Sequence, residues 1–194
     1  MIDIGHLQPG VPIRIIVGAS LQSYPGWIAT QEEDLNLLKR EDWEISFRDR
    51  KIDSILAEHV WEHLDGEEGR HAARICFDFL KPGGMIRCAV PDGYFPDREY
   101  QEMIKVGYPK PDDFPAAQHK IVYNYRLLKD VFESAGFAVE LLEYCDEQGI
   151  FHYTEWNPEE GFIYRSKRFD HRNKNGALKM VSLILDAKKH DETF

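Results

Sequence analysis

At 194 residues the chain has the length of one domain and buries enough of its own surface to fold without disulfides or a structural metal. Apolar residues make up 43% and charged residues 30%, and 14 glycines and 10 prolines are near average usage, which excludes collagen-like and low-complexity classes. The 34 acidic residues outnumber the 24 basic ones, and a net charge of -10 argues against nonspecific nucleic-acid binding.

In chain order, Pro12 to Gly18 (PIRIIVG) is a β-branched run that reads as a buried strand closed by glycine. A turn at Ser23–Gly26 leads to a short strand at Trp27–Thr30, and Glu32–Asp42 holds one short helix at most. Lys51–Ala57 is a second buried strand, with Glu58–Leu64 turning into a helix. Gly66–Leu80 is an amphipathic helix with Ala72, Cys76, Phe79 and Leu80 on one face, stopped by Lys81-Pro82-Gly83-Gly84. Met85–Val90 is a strand ending at Pro91-Asp92-Gly93. Asp97 caps a helix that runs to Gly107, and a loop with Pro109, Pro111 and Pro115 reaches about His119. Asn124 caps the next helix, which Gly136 ends. Val139–Tyr144 is a strand, 149–176 is polar and aromatic with hairpin-like turns, and Met180–Ala187 is a last apolar strand.

The cysteines Cys76, Cys88 and Cys145 are too scattered for a disulfide framework or a thiolate zinc site and read as small core residues. The N-terminus lacks a basic and an apolar signal region, and no apolar run approaches the ~20 residues of a membrane span. A cytoplasmic protein without membrane partners is expected. Alternating strands and helices imply a mostly parallel sheet covered on both faces, with ligands at the strand carboxyl ends. Those ends are Gly18-Ala19-Ser20, Thr30-Gln31-Glu32, Glu58-His59 and Pro91-Asp92. No linker or repeat marks a second domain, so 1–194 reads as one domain with an aromatic and basic insertion at 149–176.

Taken in order, those ends resemble class I S-adenosylmethionine-dependent methyltransferases. The resemblance is carried by Ile15–Ser20, Tyr24–Ile28, Ile52–Leu64 (IDSILAEHVWEHL) and Leu80–Gly93 (LKPGGMIRCAVPDG). His119–Tyr125 and Arg165–Asn175 add a likeness to small bacterial predicted methyltransferases. The resemblance spans nearly the whole chain. It implies a seven-stranded, doubly wound α/β sheet with helices on both faces and an antiparallel last strand. It also implies S-adenosylmethionine as cofactor and methyl transfer to a nucleophile. By the same resemblance Gly18, Ala19 and Ser20 pass beneath the methionine part of the cofactor, and Gln31 or Glu32 grips the ribose. Glu58 and His59 stand at the end of the fourth strand, facing cofactor and substrate. Two departures weaken cofactor binding: the loop has one glycine, and Gln31 lacks the charge of a carboxylate.

A methyl acceptor that carries a proton needs a base, for which His59 is the first choice and Asp92 the second. Asp92-Gly93 is equally ordinary turn chemistry. His59 and His63 are four apart, but no HExxH motif and no third ligand at a telling distance accompany them, so no metal is expected. Glu62 and His63 read as the opening of a helix. His119 reads either as a lid residue on the substrate side or as a surface histidine. Arg165, Lys167, Arg168, Arg172 and Lys174 form either a solvated hairpin or a flap for an anionic acceptor, with Arg168 and Arg172 as the contacts. Tyr153, Trp156 and Tyr164 suit stacking on a small-molecule or glycan-like acceptor, or cover of the sheet. A cofactor-binding module without turnover and a metal-assisted hydrolase are the competing readings.

Overall fold

A computed structural model describes residues 2, 4, 8, 10–107 and 115–190. Strands β1 (Arg14–Val17), β2 (Ile28–Ala29), β3 (Ile52–Glu58), β4 (Leu80–Pro91), β5 (Ala138–Cys145), β6 (Phe151–Tyr153) and β7 (Ser182–Lys188) form one sheet in the order β2-β1-β3-β4-β7-β5-β6. The pairs β1–β2, β1–β3 and β3–β4 are parallel, while β7 runs antiparallel between β4 and β5. The expected antiparallel last strand is therefore present. β6 is a second antiparallel strand, paired with β5 at the sheet edge.

Helices α1 (Arg40–Phe47), α2 (Gly66–Phe79), α3 (Arg98–Ile104) and α4 (Tyr125–Glu133) complete the described elements longer than one turn. The first helix lies later than Glu32–Asp42. Its place follows from Trp43 and Phe47, four apart on one face and both fully buried, with Trp43 5.6 Å from the Phe79 ring. Residues Gln31–Asn36 are held instead by turn bonds such as Leu35 N–H to Gln31 O (3.0 Å). With no strand there, the strand ending at Glu58 is the third and not the fourth. Asp65 caps α2 by accepting from Glu67 and Glu68 N–H while Glu68 Oε2 accepts from Asp65 N–H, a reciprocal capping box. Asp97 and Asn124 cap α3 and α4 as expected, although α3 stops at Ile104, three residues short of Gly107. Pro109 and Pro111 lie outside the described residues.

The two faces of the sheet are covered differently. Ile15, Val17, Ile55, Ala57, Ile86, Cys88, Leu183 and Leu185 pack with α1, α2 and α4 in the main core. The alternate residues Ile16, Leu56, Ala89 and Ile184 pack with Trp156 and Ile163 from the segment after β6. α1, α2 and α4 thus lie against one face and the aromatic segment against the other, where helices were expected on both, while α3 packs apart with Phe95, Cys145 and Val181. All three cysteines are buried free thiols. Among the described residues no helix is long and apolar enough to cross a membrane.

Candidate functional site

From β1 the chain moves to β2 on one side and next to β3 on the other, so the direction of winding reverses at the β1–β3 boundary. In open parallel sheets that reversal opens a crevice beyond the strand carboxyl ends. Gly18 lies at this boundary with φ +58°, and Ser20 follows with φ +49°. A Cβ on Gly18 would stand 2.8 Å from Val60 Cγ2, just past β3. Gly18→Ala should therefore lower stability by about 1–2 kcal/mol, the cost of forcing a left-handed conformation, and more if Val60 cannot yield. A melting curve without ligand checks this. The same contact makes the bulkier Gly18→Val a fold mutation as well as a ligand mutation.

The loop is fastened to the end of β2. Ala19 N–H donates to Thr30 O (2.9 Å), and the Gln31 side chain bonds Ser20 in both directions, accepting from its N–H (3.1 Å) and donating to its carbonyl (2.9 Å). The Gln31 amide is thereby spent on the loop backbone, leaving exposed Glu32 as the neighbouring carboxylate. Glu32 Oε1 accepts from Asn36 Nδ2 at 3.1 Å. Leu21, the next residue after the loop, is 98% exposed.

At the end of β3, Glu58 is buried and its carboxylate is engaged within the protein. Its carboxylate accepts from Gln22 Nε2 (2.5 Å), Tyr164 N–H (2.9 Å) and Arg165 N–H (2.8 Å). Asp92 is likewise taken up as a turn carboxylate. It is fully buried, with Oδ1 accepting from Tyr94 N–H (2.9 Å) and Oδ2 from Cys145 N–H (2.6 Å). The Asp-Gly turn chemistry is what folds here.

His59 takes φ +58° and ends the strand with its N–H on Ala89 O (2.8 Å). That backbone turn prevents a continuous helix through 58–64, and a single 3-10 turn forms at Trp61–His63. His59 and His63 consequently do not share a helical face. The His59 ring is held at Nε2 by Ser182 Oγ (2.9 Å), and its Nδ1 lies near Glu62 Oε1 (3.2 Å) without a hydrogen bond. Burial, aided by the Arg165 charge, pushes its pKa well below the usual histidine value. A histidine held neutral in this way is a weak proton acceptor, which counts against the role of base.

Sequence spacing missed a second cluster. Glu62 is 1% exposed and neither carboxylate oxygen has a hydrogen-bond partner, because the 3.2 Å approach of His59 is off the bonding direction. Burial raises its pKa to about 7. One donor atom each from Glu62, His63 and His119 lies within 4.8 Å of the others. The His63 and His119 rings meet edge to face at 5.3 Å. Lys120 N–H donates to Glu62 O (2.8 Å) and fastens the two segments together. His119 is thus a buried partner of the β3 turn, and the separation of 56 residues from His63 left no signal in the sequence.

The cationic side chains of 165–174 are largely paired within the protein. Arg172 makes a two-point contact with Asp170 (2.8 and 2.5 Å), and Arg168 Nη1 meets Glu155 at 2.6 Å. Lys167 Nζ stands 4.1 Å over the Tyr153 ring. Arg168 and Arg172 therefore tie the aromatic segment together, and an anionic acceptor would have to displace their carboxylates. Trp156 is buried with its Nε1–H on Glu143 (2.9 Å), so it covers the sheet. A groove of about 460 Å³ lies at the other end of β1, between Arg14, Tyr24, Trp27 and Phe162.

Solved structures share this architecture. A SAM-dependent methyltransferase from Archaeoglobus fulgidus superimposes with a TM-score of 0.53 over 93% of this chain and 87% of its own, at 18% identity. A putative methyltransferase in complex with the Trm112 activator of Haloferax volcanii gives 0.51 over 95% and 84%, at 12% identity. An O-methyltransferase family protein from Burkholderia thailandensis gives 0.51 over 93% of this chain and 52% of its own, at 10% identity. The chain has the class I methyltransferase fold. No protein-family model and no curated protein sequence matches it. The methyltransferase fold is here built with an aromatic segment on the face opposite α1, α2 and α4.

Proposed function

We propose that the chain binds S-adenosylmethionine in the crevice beyond β1 and β3 and transfers its methyl group to an acceptor. The observation that carries this is the winding reversal at β1–β3 with the Gly18 turn at its mouth. Gly18, Ala19 and Ser20 carry the methionine part of the cofactor, and Glu32 serves as the ribose carboxylate because the Gln31 amide is engaged by Ser20. Exposed Leu21 supplies the apolar cover. Glu58 and Asp92 serve the scaffold, and His59, held at Nε2 by Ser182, positions the acceptor side without taking a proton. Methyl transfer suits such a site, since the sulfonium is already activated and alignment supplies most of the rate gain.

A ligand present at 100 times its Kd adds about 2.7 kcal/mol of apparent stability, which for a chain of this size raises Tm by roughly 5–10 °C. We expect that shift with millimolar S-adenosylmethionine or its demethylated product. Glu32→Ala should reduce the shift and leave the unliganded melt unchanged, because Glu32 is exposed. No shift with either compound, confirmed by calorimetry, removes the reading. Binding without turnover over a panel of oxygen, nitrogen and carbon acceptors makes the chain a cofactor-binding module.

A further inference from the structure

We propose that Glu62, His63 and His119 form a binding site for one divalent transition-metal ion of the zinc class. The inference is independent of the methyltransferase reading. It starts from a carboxylate that is 1% exposed and has no hydrogen-bond donor on either oxygen. Burying an unsatisfied carboxylate is costly, and a bound cation removes the cost directly.

Each of the two histidines keeps a lone pair for such a cation on the ring nitrogen that does not face a carbonyl. His119 Nδ1 lies 2.8 Å from the Ile104 carbonyl oxygen. A carbonyl can only accept, so Nδ1 carries the proton and the lone pair is on Nε2. His63 Nδ1 faces the Gln118 carbonyl at 3.4 Å, which favours the same tautomer. A metal-ligating histidine characteristically gives its other N–H to a carbonyl in this way. The donor set is two imidazoles and one carboxylate, which suits zinc over magnesium or calcium, because those ions prefer oxygen alone.

The spacing is that of a site before closure. Around a tetrahedral ion at 2.0–2.2 Å the donors stand about 3.3 Å apart, against an upper limit of 4.8 Å between the donor atoms here. Side-chain rotations that draw the donors together by up to about 1.5 Å close the set. His63 is only partly buried, so an ion can enter from solvent, and three protein donors leave a fourth position for water or another ligand.

The test uses the whole chain, stripped with a chelator and titrated with Co²⁺ by absorption and with Zn²⁺ by calorimetry. We expect one equivalent of Co²⁺ to give the intense visible bands of a tetrahedral site, and Zn²⁺ to displace it. Removing a ligand should cost at least as much as the 10–100-fold typical of losing a partner behind one. His63→Ala should therefore weaken Zn²⁺ binding by about 100-fold or more, with an unchanged metal-free melt. His152→Ala, which removes a surface histidine paired with Asp146, should leave binding as it is. Should His63→Ala melt early, Glu62→Gln, which keeps shape and removes the charge, decides the same point by at least a 10-fold loss. Absent cobalt bands, or equal Zn²⁺ affinity in the wild type and both variants, overturns the proposal.

Discussion

Asp186→Ala should lower unfolding stability by about 3–5 kcal/mol, the usual cost of removing one partner from a buried ion pair. In a chain of this size that corresponds to a Tm drop of roughly 10 °C, which calorimetry would measure. Asp186 on β7 receives two parallel hydrogen bonds from Arg87 on β4, Nε to Oδ1 at 2.7 Å and Nη2 to Oδ2 at 2.8 Å. Arg87 Nη1 also donates to the carbonyls of Asn157 and Gly161 (2.8 Å each), and the guanidinium lies 4.8 Å from the Trp156 ring centre. Both side chains are nearly fully buried. The pair therefore fixes the aromatic segment to the sheet, with Glu58 and Glu143 doing the same through the amides of Tyr164, Arg165 and Lys167. Removing Asp186 leaves the Arg87 charge in a dry place with one distant carboxylate, Glu160 at 3.8 Å. Replacing both members by apolar residues of similar volume should recover much of the loss, since an ion pair of this kind stabilises chiefly relative to half of itself. A double variant no more stable than Asp186→Ala would refute the account.

The second large effect is expected at Asp92. Its two oxygens each satisfy a backbone amide, and losing both leaves buried donors unpaired at about 1–3 kcal/mol each. Asp92→Ala should thus cost about 3–4 kcal/mol. Asp92→Asn should cost about half of that, because an amide side chain has one acceptor oxygen and turns an N–H toward the other donor. If Asp92 instead acted on substrate, the asparagine variant would melt normally and lose turnover. The scaffold role predicts the reverse order, with stability lost and affinity for S-adenosylmethionine kept after correction for the unfolded fraction. Urea denaturation of the two variants distinguishes these outcomes.

Much of the fold was legible in the chain. The apolar runs at β1 (Arg14–Val17), β3 (Ile52–Glu58) and β7 (Ser182–Lys188) form strands because β-branched and apolar side chains fill both faces of a covered sheet. The caps Asp97 and Asn124 and the strand-closing Gly18 act locally, so they also read correctly. The Glu58–Leu64 segment misled because its helical spacing gives no sign that His59 takes a left-handed conformation.

The sequence alone determined the main strands, the helices at α2, α3 and α4 and the buried cysteines, because these depend on periodicity and neighbouring residues. Tertiary structure decided which polar groups are free. Glu58, Asp92, Arg168 and Arg172 had the chemistry of a site, but partners 13 to 107 residues away in the chain, such as Arg165, Cys145 and Glu155, engage them, while Asp170 holds Arg172 from two residues away. The same folding brought His119 against Glu62 and His63 and left that carboxylate without a donor. Hydrogen-bond satisfaction is a property of distances in space, and sequence separation carries no record of it.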